Sequence, residues 1–136
     1  MIRVLLVDDQ QVVRRGLGLR LHLEPDMQVV GEARSGREAL LLAQALTPDV
    51  VLMDVEMPEM DGIAATTALR ALVCPSAVVI MSIHDDLPTR ERAQAAGAVA
   101  FVAKNGMTDE LLATIRQAAG QTETSHNERA HEGRNP

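Results

Sequence analysis

Apolar positions along the chain follow two rhythms. Short aliphatic runs, often β-branched, recur at Ile2 to Val7, Met27 to Gly31, Val50 to Met53, Ala77 to Met81 and Val99 to Val102, and each has the length and composition of a strand. The stretches between and after them carry apolar residues at helical spacing, roughly Gln11 to Leu23, Gly36 to Leu46, Gly62 to Leu72, Asp85 to Ala96 and Thr108 to Ala119. Strand and helix therefore alternate. The first, third and fourth runs are apolar at nearly every residue, the pattern of strands with helices packed on both faces of a parallel sheet. A three-layer α/β sandwich is predicted. Breakers fall where it needs them, at Pro25, Ser35 before Gly36, Pro48, Pro75, Gly97 and Gly106, and Thr108 suits the cap of the last helix.

Composition sharpens this. At 136 residues and 46% hydrophobic, the chain suffices for one domain with a substantial core. Phe101 is its single aromatic residue, so aliphatic side chains must fill that core. Residues 121–136, QTETSHNERAHEGRNP, contain no large apolar residue and cannot offset the entropy of ordering, so they are expected to be a polar tail or linker after a domain spanning 1–120. His126 and His131 belong to that tail.

A net charge of −6, with the 13 basic residues forming no dense run, argues against direct binding to nucleic acid. The opening MIRVLLVDDQ is broken by two aspartates, unlike a signal peptide, and no stretch approaches a membrane span, so a soluble cytoplasmic protein is the expectation. Cys74 stands alone, excludes an internal disulfide, and reads as a small apolar filler.

In open parallel sheets ligands bind beyond the carboxyl ends of the strands. The polar residues there are Asp8 and Asp9 after the first strand, Asp54 after the third, Ser82 after the fourth and Lys104 after the last. Three carboxylates brought together repel one another unless a cation neutralises them. Magnesium suits such a set, since it takes oxygen ligands and is commonly held by one or two carboxylates plus a phosphate oxygen. Asp54 is also a candidate nucleophile toward phosphorus, with Lys104 stabilising the phosphoryl oxygens and Ser82 donating a hydrogen bond to one of them.

The segments VLLVDDQ, VVLMDVEMPEMDG, VVIMSIHDD and GAVAFVAK resemble, in order and approximate spacing, the receiver domains of bacterial two-component response regulators. The resemblance covers about residues 1–120, and SIHDD with the proline-free segment after Lys104 is most similar to the nitrate and luminescence type, whose effector is a helix-turn-helix domain not found in this chain. It implies a flavodoxin-like (βα)5 fold with sheet order 2-1-3-4-5. It further implies that Asp54 accepts a phosphoryl group from a sensor histidine kinase, and that Asp9 binds Mg2+ directly, Asp8 largely through water, and Glu56 through its main-chain carbonyl. Ser82 and Phe101 become the coupled switch pair, altering the face of the fourth helix, last strand and last helix for a downstream protein, an output domain or a second copy. Catalysis in such a domain is limited to self-phosphorylation from a donor and slow autodephosphorylation.

Two residues depart from the family pattern. Ile83 stands where a small residue is usual and is expected to narrow access to Asp54, and Asn105 replaces the proline that commonly follows the lysine. Glu56 and His84, two residues past Asp54 and Ser82, are expected to tune the phosphoryl lifetime. Each residue also has a quieter explanation: Asp8 and Asp9 as helix caps, Ser82 as partner of a backbone group, Lys104 as a solvated cation, Phe101 as core, His22 as a surface residue. Met53, Met57, Met60 and Met81 read as packing, and Asp61-Gly62 as a helix start. Competing functions are an aspartyl-phosphate hydrolase, a flavin or nucleotide binder, which Asp8 and Asp9 would repel, and a receiver-like interaction module that works without phosphorylation.

Overall fold

The side chains of the central strands alternate between two separate cores. Val4 and Leu6, Val50 and Leu52, and Val79 and Met81 enter one; Leu5 and Val7, Val51 and Met53, and Val78 and Ile80 enter the other. This is the near-continuous burial that the apolar runs predicted, and it requires helices on both faces. The structure, a computed structural model, describes residues 1–104 and 109–120. Its elements are β1 (Ile2–Val7), α1 (Gln11–His22), β2 (Met27–Ala33), α2 (Gly36–Leu46), β3 (Val50–Asp54), α3 (Gly62–Ala71), β4 (Ala77–Ser82), α4 (Leu87–Ala96) and β5 (Ala100–Ala103), and residues 109–120 form a further helix, α5.

All strand pairs are parallel, in the order β2-β1-β3-β4-β5. Leu17 and Leu21 of α1 and Leu111, Leu112 and Ile115 of α5 close the first core, while Ala39, Ala43, Ile63, Leu69 and Ala93 of α2, α3 and α4 close the second. This is the expected flavodoxin-like sandwich. Side-chain caps fix three helix starts: Ser35 accepts from Glu38 N, Asp61 from Ala64 N and Asp86 from Thr89 N. The cap at Asp61 bears out Asp61-Gly62 as a helix start.

Some boundaries moved. The third and fourth strands each run one residue beyond the apolar run, because Asp54 pairs with Met81 and Ser82 with Ala103. α4 begins at Leu87, since the cap is the second of two adjacent aspartates. It ends at Gly97, whose φ of 108° suits glycine, and β5 starts after Val99. Asn105, Gly106, Thr108 and residues 121–136, including His126 and His131, lie outside the described residues.

Candidate functional site

Because β1 and β3 are central neighbours in register, with Val7 opposite Met53, the residues that follow emerge side by side at one edge of the sheet. One carboxylate oxygen each from Asp8, Asp9 and Asp54 lies within 4.8 Å of the others. Asp8 and Asp54 are buried and Asp9 is exposed, so the group opens to solvent on one side. Lys104, delivered by the end of β5, bridges the buried pair: its Nζ is 2.9 Å from Asp54 Oδ1 and 3.1 Å from Asp8 Oδ2.

One ammonium against three carboxylates leaves an excess of negative charge. Burial pushes the Asp54 carboxyl above its ordinary range, and the neighbouring Asp8 adds to this despite the opposing hydrogen bond and charge of Lys104 and a backbone donor at Glu56. Burial alone would lower the Lys104 ammonium, but Asp54 and then Asp8 outweigh it and hold it above its usual value. The charge imbalance and the all-oxygen donor set fit a hard divalent cation of the magnesium type. The explanation of Asp8 and Asp9 as caps does not hold: α1 is preceded by Gln10 without a side-chain cap, and Asp8 Oδ1 instead accepts from Gln10 N at 2.9 Å, shaping the turn.

Of the other predicted residues, Ser82 ends β4 with Ile83 and His84 after it, Glu56 follows β3, and Phe101 lies in β5. Ser82 is fully buried, and its Oγ accepts from His84 N at 2.9 Å, so the backbone-partner role is present while its own proton is left to donate. Ile83 is exposed, with 64% of its surface accessible. Glu56 and His84, from different loops, meet at 3.0 Å between Oε1 and Nε2. Phe101 packs against the second core with its ring partly accessible, and the Arg90 guanidinium lies 4.6 Å from the ring centroid. Met53, Met57 and Met81 are buried, as expected of packing residues, and Cys74 is a buried free thiol.

Two contributors went unread in the sequence. Gly62 lets the start of α3 approach the end of β3, its N–H donating to Val55 O at 2.9 Å. Arg14 of α1 donates from Nη1 to the main-chain carbonyl of Asp8 at 2.5 Å. An arginine in the run Val12-Val13-Arg14-Arg15 looks like part of a solvated helix face, so sequence offers no signal for it.

Residues 4–116 match the family model of the response regulator receiver domain. The chain belongs to that family. This receiver is 44% identical over 123 residues to the transcriptional regulatory protein LiaR of Bacillus subtilis, a match that covers 88% of the chain and 56% of LiaR. The chain thus spans little more than half of that relative's length. Among solved structures, the signal receiver domain of the putative response regulator NarL from Mycobacterium tuberculosis superposes with a TM-score of 0.84 at 35% identity, covering 88% of this chain and 96% of that one. A two-component response regulator of the LuxR family from Aurantimonas superposes equally well, with a TM-score of 0.84 at 33% identity and coverage of 88% and 85%. The receiver is therefore a phosphoacceptor module of two-component signalling, similar to LuxR and NarL regulators, and it carries the acidic pocket of Asp8, Asp9 and Asp54 with Lys104. Among its described residues, no helix is long and apolar enough to cross a membrane.

Proposed function

We propose that Asp54 is the phosphoacceptor of a cytoplasmic receiver spanning residues 1–120, taking its phosphoryl group from a phosphohistidine of a sensor histidine kinase. The observation that carries this is the convergence of Asp8, Asp9 and Asp54 within 4.8 Å, with Lys104 in contact with the two buried members. One oxygen of Asp54 bonds to phosphorus as the P–N bond of the donor breaks; the electron pair leaves with the imidazole nitrogen, which takes up a proton. Asp8, Asp9, Asp54 and the carbonyl of Glu56 are the candidate magnesium ligands. Bound there, the ion would supply positive charge against the transferred phosphoryl oxygens.

The chain's own groups have separable tasks. Lys104 balances the charge of Asp54 before transfer and meets a phosphoryl oxygen afterward. Ser82 turns its free proton toward that oxygen, and Phe101 follows, altering the face of α4, β5 and α5 for a downstream protein, an output domain or a second copy. Glu56 and His84, already in contact beside the pocket, govern how readily water reaches the acyl phosphate; Ile83 contributes to the same rim.

Intact mass after incubation with a small phosphodonor and magnesium tests this directly. One phosphoryl adduct that requires magnesium and is absent in Asp54→Asn supports the assignment. An adduct that persists in Asp54→Asn overturns it.

A further inference from the structure

We infer that Arg14 is a positioning residue for the magnesium site, holding the Asp8-Asp9 turn in the geometry that the ion requires. The inference rests on the proposed cation site and adds to it a residue that touches neither the ion nor the phosphoryl group.

Asp8 is held from several sides. Its N–H donates to Ala33 O at 3.0 Å, its Oδ1 accepts from Gln10 N at 2.9 Å, and its Oδ2 faces Lys104 at 3.1 Å. These contacts leave its main-chain carbonyl, which begins the peptide linking Asp8 to Asp9. Arg14 Nη1 meets that oxygen at 2.5 Å. Rotation of this peptide would swing Asp9, the exposed carboxylate, away from the other two. Arg14 is well placed to resist such rotation, because its side chain is only 13% exposed and is anchored a second time through Nε to Glu32 Oε1 at 3.2 Å. One guanidinium fork thus ties the end of β1 and the first turns of α1 to the edge strand β2.

Two effects of Arg14 on a cation oppose each other. Its positive charge disfavours a nearby ion, whereas the fixed turn favours binding by pre-organising the ligands. Glu32 offsets the charge locally, which leaves geometry as the larger effect. A test must therefore hold charge constant. Arg14→Met with Glu32→Gln removes both charges, retains the unbranched stem and deletes the donors to the carbonyl. Arg14→Lys keeps the charge and one donor.

Magnesium titration by calorimetry, on the whole chain without phosphodonor, reads the effect apart from activity. The double variant should bind magnesium about tenfold more weakly than the native chain, the scale seen when partners behind metal ligands are removed. Its metal-free thermal midpoint should stay within a few degrees of native, and Arg14→Lys should recover most of the affinity. If the double variant does not fold, Arg14→Gln with Glu32→Gln replaces it in the same comparison. Native affinity in the folded variant, or a loss that Arg14→Lys does not recover, overturns the role of Arg14 while leaving the site intact. A native chain that binds no magnesium overturns the site itself and the inference with it.

Discussion

A β-carbon on Gly62 would stand 2.1 Å from the carbonyl oxygen of Asp54, well inside contact distance of a backbone atom that cannot swing aside. The start of α3 thus sits directly against the peptide that carries Asp54, the proposed phosphoacceptor. Gly62→Ala must push the helix or the strand end away, and overpacking of this kind costs about 3 kcal/mol. We expect chemical denaturation to show a loss of that order, and the folded fraction to accept phosphate more slowly than native because Asp54 is displaced. Native stability in the variant would mean that α3 can shift freely.

Gly16 is the opposite case. A β-carbon there meets nothing within 4 Å, and the position lies within α1. Glycine inside a helix costs roughly 0.5–1 kcal/mol relative to alanine through backbone entropy. Gly16→Ala should therefore raise the unfolding free energy by about that amount. An unchanged or lowered denaturation midpoint would contradict it.

These two glycines also mark what the sequence reveals. Strand periodicity and burial were legible because β1, β3 and β4 alternate between two cores and so carry almost no polar residue. The acidic pocket was legible because its members stand at the end of β3 or within two residues of the end of β1. What escaped depends on distances between elements: Gly62 reads as a helix start, although its smallness is demanded by Asp54 across the loop, and Arg14 reads as surface until Asp8 and Glu32 are placed around it. The choice between Asp85 and Asp86 as the cap of α4 is likewise local geometry that two adjacent aspartates cannot express.

Acid should expose the fastening of α5. Arg116 reaches from that helix to Glu24 at 2.7 Å and Asp26 at 2.8 Å, in the turn before β2. Its hydrogen bonds are the chief reason that both carboxyls lie below their ordinary range. A carboxyl lowered on folding contributes stability that is present above its unfolded pKa and lost as pH falls through the folded one. Arg116→Met should therefore be less stable than native at neutral pH, and the gap should narrow as pH falls below the ordinary carboxylate range. Asp54, shared by both proteins, cancels in the difference. Thermal melts across that range would contradict the fastening if the gap stayed constant.

Phe101 offers the most direct view of switching, because it is the single aromatic residue and a fluorinated phenylalanine would give one resonance. In the structure the Arg90 guanidinium covers the ring at 4.6 Å while its Nε pairs with Asp85 at 2.5 Å, so the cation over the ring is itself tethered to the loop after β4. That contact favours the ring position seen here over the one that Phe101 takes up when it follows Ser82 in the proposed phosphorylated state. Cation–π contacts at accessible sites contribute about 0.5–1 kcal/mol, which corresponds to roughly a two- to fivefold change in the equilibrium between ring positions. In Arg90→Gln the fluorine resonance of the unphosphorylated protein should move part of the way toward its position with beryllofluoride and magnesium. The end position itself should change little. If the unphosphorylated resonance keeps its native fractional position between the two end states, Arg90 does not hold the ring, and the restraint on Phe101 lies in its packing against the second core.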